Sequence, residues 1–398
     1  MRGRICRPVV TGLGVVSPLG VGASEFWRRL VAGERAPLVV PPVRPGLSSP
    51  GPGRVFVPEF EAERYGDPRA LRKVSGLTRL ATIAASLALE DAAFPADLAL
   101  RDATSVSLGS SFGSSRYHLE YHEALRAKGL RAASALLFAE SVFNAPAGHL
   151  SKVFRLRGAS HTLVGGQDVG LAAVALAGDR IRLGVSCAAL AGGADEHSDL
   201  AHASVRKLGL VGACDGGPFD PEPAPIGEGA SILVLEEREP ARRRGARLRA
   251  EIRGTGSARR GRGTSNEAAA LSGVAQALRR SIGLAIEDAG VAASDLDLVV
   301  AGAAGGQLAQ SFAKAIEELH RSAGREIPVA TPKAALGEGF AYTSAALALV
   351  AVLALSTGEF PPLAIGEGAP RPPRLALAVD ATGPGGATAI VLSHADAD

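Results

Sequence analysis

The residues able to do chemistry are few and scattered. Cys6, Cys187 and Cys214 stand far apart, with neither the paired spacing of a metal site nor that of a disulfide framework. Such usage suits a reducing cytoplasm. His118 and His122 lie four positions apart beside Glu120, a spacing that could ligate a metal, yet one such pair alone reads as a solvated helix face. His149, His161, His197, His202 and His320 sit in unrelated surroundings and read as surface or hydrogen-bonded polar residues. Glu338 follows Lys333 closely enough for a buried ion pair that would be costly to break from one side. No metal set and no cofactor is expected.

Whatever positions these groups is an ordinary globular body. The chain has 398 residues, 46% hydrophobic and 21% charged, enough for one large domain or two fused halves. A net charge of +3 is too small to imply nucleic acid or a membrane surface. The longest apolar run, Phe340 to Leu355, holds Tyr342, Thr343 and Ser344 and falls short of the ~20 residues that span a bilayer. It reads as a buried helix. Arg2, Arg4 and Arg7 are followed by Pro8 and only a short valine pair, which is not the apolar region of a signal peptide. The expectation is a soluble cytoplasmic protein without membrane insertion.

Strand and helix signals alternate. Val9 to Gly14 is a β-branched run ended by glycines, and Glu25 to Val31 has helical periodicity. Ser105 to Leu108, Ala188 to Ala191, Ile232 to Leu235, Leu298 to Val300 and Ala389 to Leu392 read as further strands. Short strands with long helical crossovers predict an α/β architecture with covered sheets. A weak repeat sharpens this. Leu87-Ala88-Leu89-Glu90-Asp91-Ala92 and Leu284-Ala285-Ile286-Glu287-Asp288-Ala289 each end a helix before a strand, about half the chain apart. Two similar halves follow, residues 1–240 and 250–398, packed as one body. Proline- and glycine-rich stretches from Pro41, Gly216 and Gly366 punctuate them, the second feeding Ile226-Gly227-Glu228-Gly229-Ala230 into a strand.

In order along nearly the whole chain, these landmarks resemble the β-ketoacyl synthases, condensing enzymes of thiolase fold. The opening Val10-Thr11-Gly12-Leu13-Gly14-Val15-Val16-Ser17-Pro18-Leu19-Gly20, then Phe26-Trp27, resembles their N-terminal signature. Leu190-Ala191-Gly192-Gly193-Ala194-Asp195, Pro218-Phe219-Asp220 with Gly227-Glu228-Gly229-Ala230, and Pro332-Lys333 resemble later ones. The resemblance implies a layered α-β-α-β-α body. It also implies a cysteine nucleophile activated at a helix N-terminus and two histidines acting on a malonyl-carrier substrate.

All three positions depart from that pattern. Gln167 stands at the cysteine position, four residues before Leu171, and a carboxamide forms no thioester. Ala304, or Ala303 if the register slips, replaces the first histidine. Glu338 replaces the second while Lys333 is kept, and a carboxylate there would repel a malonyl carboxylate. The family's gating loop reads Asp380-Ala381-Thr382-Gly383-Pro384-Gly385-Gly386, which Pro384 would stiffen. Loss of cysteine and both histidines resembles chain length factors, subunits paired with an active ketosynthase.

That resemblance implies a non-catalytic member of a heterodimer in type II polyketide, polyene or fatty-acid-like synthesis, with acyl carrier protein as a further partner. In chain length factors the segment matching Arg116 to Leu125 lies at the subunit interface beside the tunnel. Ser114, Tyr117 and Tyr121 would share one helical face there, as tunnel gates or as core packing. The basic run Arg242-Arg243-Arg244 with Arg247 and Arg249 would meet an acidic carrier or simply face water. The rival readings are a decarboxylase or acyltransferase using Asp168 or Glu338, and a carrier-binding scaffold without a synthase.

Overall fold

The computed structural model describes residues 6–39, 53–65, 67–212, 217–260, 267–368, 371–383 and 385–396. The segment from Pro41, Cys214 and Pro384 therefore lie outside the described residues.

The first half contributes strands β1 (Pro8–Ser17), β2 (Thr104–Ser110), β3 (Ser160–Val164), β4 (Ala188–Asp195) and β5 (Gly229–Glu237). The second contributes β6 (Ala250–Arg259), β7 (Leu298–Ala301), β8 (Val329–Ala330), β9 (Leu375–Thr382) and β10 (Gly386–His394). Their spatial order is β3-β2-β4-β5-β1 and then β6-β10-β9-β7-β8, so each half repeats one topology in mirror order about the β1–β6 seam. The senses match too: β2 is parallel to β3 and β4, as β7 is parallel to β8 and β9, while the other neighbours run antiparallel. At the seam, Val9 pairs with Glu251 and Val10 with Ala250.

Six helices carry the argument: α1 (Gly76–Asp91), α2 (Ser115–Lys128), α3 (Ala135–Ser141), α4 (Val169–Arg182), α5 (Glu267–Ala289) and α6 (Ala341–Thr357). Helix α1 covers the outer face of β1, β5 and β4, and α5 covers that of β6, β10 and β9. Between the sheets α4 and α6 pack together, with every residue from Ala341 to Leu355 buried. Three apolar clusters, one central and two outer, fill the spaces between these layers. The fold is the expected layered α-β-α-β-α body.

The sequence repeat has a physical meaning. Asp91 Oδ2 accepts the Leu13 backbone N–H at 2.8 Å, and Asp288 Oδ2 accepts that of Thr255 at 2.9 Å. Each aspartate thus ties the end of an outer helix to the first strand of its half. Gly12 and Gly14 do not end β1, contrary to expectation; the strand runs on to Ser17. A Cβ at either would collide with the backbone of α1, as one at Gly254 or Gly256 would with α5. These glycines let a helix lie directly on a strand.

Candidate functional site

The turn before α4, the loop after β7 and the segment leading into α6 converge between the halves. Gln167, Ala304 and Glu338 line one cavity there, together with Leu210 and Pro223. Ala304 faces the cavity, whereas Ala303 is buried in the outer cluster of the second half. The cavity measures about 10 Å³, barely the volume that holds one water.

Gln167 is buried at the start of the turn into α4, and its Oε1 accepts the Gly383 N–H at 3.4 Å. The amide therefore ties the turn before α4 to the loop after β9. Asp168 beside it accepts from the Thr388 hydroxyl at 3.1 Å, and burial raises its pKa.

Lys333 is the charged centre. Its Nζ lies 3.1 Å from Glu338 Oε2 and 3.0 Å from Asp380 Oδ2, and all three side chains are at most 2% exposed. Burial alone would lower the lysine pKa; attraction from Asp380 and Glu338 outweighs it and the pKa ends raised. One ammonium faces two carboxylates. Burial first, and then repulsion from Glu338, push the Asp380 pKa up to about 7 against the pull of Lys333. Sequence reasoning missed Asp380 as a partner. The available signal was a lone carboxylate ending the otherwise uncharged strand Leu375–Thr382.

Glu338 is fully committed. Besides Lys333, its Oε1 accepts the Phe340 N–H at 2.8 Å. Phe340 has φ 50° and ψ −117°, a backbone conformation costing a non-glycine residue ~1–3 kcal/mol. Glu338 holds one side of it; on the other, Asp195 Oδ2 accepts the next N–H, from Ala341, at 2.9 Å. Asp195 also accepts from Ser110, Ser111 and Phe112, while burial lifts its pKa to about 6. The Phe340 ring meets Phe112 edge-on at 4.7 Å within a small apolar cluster that includes Val205 and Val211.

The other expected site residues lie apart from this cavity. Ser114 is not on a helical face: it sits at the N-cap of α2, its hydroxyl donating to Ser75 Oγ at 2.8 Å, because the helix begins one residue later. Tyr117 donates to the Val74 carbonyl at 3.2 Å, and Tyr121 packs against Phe138 at 5.8 Å. Both tyrosines are half-buried. The exposed His118 and His122 rings meet at a tilt of 58°, and no group of three metal-ligating residues occurs among the described residues. His197 and His202 are neighbours beside Arg54, their pKa values lowered to about 4 by burial, then by Arg54. Arg244 is structural instead of free, held by Glu236 and the Ala92 and Ala93 carbonyls. No described helix is long and apolar enough to cross a membrane.

A family model described as the β-ketoacyl synthase N-terminal domain matches residues 7–241, and one for the C-terminal domain matches residues 249–366. The chain belongs to the β-ketoacyl synthase family. It is 31% identical over 387 residues to the tetracenomycin polyketide synthase ketoacyl synthase beta subunit of Streptomyces glaucescens, covering 92% of this chain and 89% of the relative. It is 30% identical over 377 residues to 3-oxoacyl-[acyl-carrier-protein] synthase 2 of Rhizobium meliloti, covering 89% and 88%. Among solved structures, the ishigamide ketosynthase/chain length factor superposes with a TM-score of 0.83 at 24% identity, covering 98% of this chain and all of that one.

Proposed function

We propose that this chain is a non-catalytic, chain-length-factor-type subunit that pairs with an active β-ketoacyl synthase and shapes its acyl tunnel in polyketide or fatty-acid-like synthesis. One observation carries the reading. At the positions that the family resemblance assigns to a thiolate and two imidazoles stand Gln167, Ala304 and Glu338, and these three residues line one small cavity. The likeness to a polyketide synthase beta subunit supports it.

A partner surface fits the same reading. Strand β3 is an uncovered sheet edge with Val164 exposed, and Leu136, Phe138, Val142 and Phe143 are exposed nearby in sequence. The partner would supply cysteine and histidines, and an acyl carrier protein would deliver substrate. Tyr117 and Tyr121 remain the proposed tunnel gates. A cytoplasmic location is part of the proposal and rests on the wide spacing of Cys6, Cys187 and Cys214, which suits no disulfide framework.

The likeness to a synthase of fatty-acid type favours the rival enzyme reading. Against it, Asp168 is bonded to Thr388 and Glu338 is pinned by Lys333 and the Phe340 N–H. The test is reconstitution of the partner synthase, carrier protein and malonyl donor with and without this chain. Full-length product is expected only with both subunits, and Tyr121→Ala should lengthen it. Identical yield and length without this chain would refute the proposal.

A further inference from the structure

From Ser115 to Asn144 no residue is buried, although the stretch forms two helices, α2 and α3, packed mainly against each other. Leu119, Leu130, Leu136, Phe138, Val142 and Phe143 are all exposed on it. A helical hairpin without a buried side chain gains little from burial, so something else must hold it to the body.

Polar tethers meet at the start of α1, which is itself anchored by buried Leu77, Ala81, Ile83 and Ala84. Glu140, in the last turn of α3, accepts from the Ser75 N–H and from the Thr78 hydroxyl, both at 3.0 Å. Glu196, from the end of β4, accepts the Leu77 N–H at 2.9 Å. Two carboxylates therefore serve the unpaired donors of one helix N-terminus, where the helix dipole favours negative charge. Glu196 comes from the rigid sheet. Glu140 comes from the hairpin and makes one charge-assisted link between the two; Arg116 of α2 makes another, its backbone N–H and its charge both facing Glu196. The neutral tethers are Tyr117 to the Val74 carbonyl, Ser114 to Ser75 and Ser115 to Ser198 at 2.7 Å.

We propose that Glu140 is a positioning residue that latches the α2–α3 hairpin onto α1, presenting its apolar outer face as a preformed docking surface for the synthase subunit. The docking half rests on the function proposed above; the latch does not. A released hairpin would have to be ordered at the moment of binding, and that ordering would subtract from affinity.

The test compares the whole chain with Glu140→Ala and Glu140→Gln by hydrogen exchange and by titration with the partner synthase. In Glu140→Ala, amides of residues 115–144 should exchange about tenfold faster, matching the loss of a charge-assisted hydrogen bond. Those of α6 should be unchanged. Affinity for the synthase should fall by a similar factor, and Glu140→Gln, which keeps a carbonyl acceptor, should recover part of both. Unchanged exchange in 115–144, or an equal rise in α6 in both variants, would overturn the latch. Faster hairpin exchange with unaltered affinity would overturn its docking role. A wild-type chain that binds no synthase would defeat the proposed function while the exchange comparison still decides the latch.

Discussion

Lys333→Met should lower the unfolding free energy by about 3–5 kcal/mol, because it strands the buried side chains of Glu338 and Asp380 without the ammonium they share. Methionine nearly keeps the volume, so the loss is electrostatic and not a cavity effect. Burial already raises the Asp380 pKa to about 7 with Lys333 in place. Without Lys333 that pKa rises further, and Glu338 loses its bond at Oε2. Adding Asp380→Asn and Glu338→Gln to Lys333→Met should restore much of the stability, since an uncharged trio has no unpaired charge to desolvate. Urea unfolding of the series is the measurement. A single variant within 1 kcal/mol of wild type would mean that water or rearrangement already screens the trio.

Gly170→Ala should cost about 3 kcal/mol or more through steric overpacking. Gly170 lies in the first turn of α4, and a Cβ there would strike the Ala341 carbonyl at the start of α6. Gly193 on β4 points at that same carbonyl from the other side. Helix α6 cannot retreat, because it is buried along Ala341 to Leu355 between two sheets. Gly283→Ala on α5 is the control: nothing lies within 4 Å of its Cβ position, and alanine in a helix is better than glycine by ~0.5–1 kcal/mol. Equal thermal midpoints for the two variants would contradict this reading of the middle layer.

Much of the fold was legible because it is duplicated. The Glu-Asp-Ala endings at Asp91 and Asp288 made the halves visible, and each aspartate makes the same bond to its first strand. The apolar run into α6 was legible because that helix has no solvent face to interrupt it. Strand β3 escaped because it is a half-exposed edge with no buried run, and β6 because charged residues and glycines break its pattern. Within the site, motif register singled out Gln167, Ala304 and Glu338, and the structure brings these three to one cavity. Asp380 could not, since its meeting with Lys333 is a tertiary contact between segments 47 positions apart. The left-handed backbone at Phe340 likewise depends on two carboxylates, one of them arriving from β4.

What matters most is whether this polypeptide can carry an acyl group by itself. Intact-protein mass spectrometry after incubation with acetyl- and malonyl-loaded carrier protein decides it, with the partner synthase as the positive control. The synthase should gain the mass of one acyl group while this chain stays at its unmodified mass. A stoichiometric acyl adduct on this chain, mapped to any side chain lining the Gln167 cavity, would contradict the non-catalytic assignment.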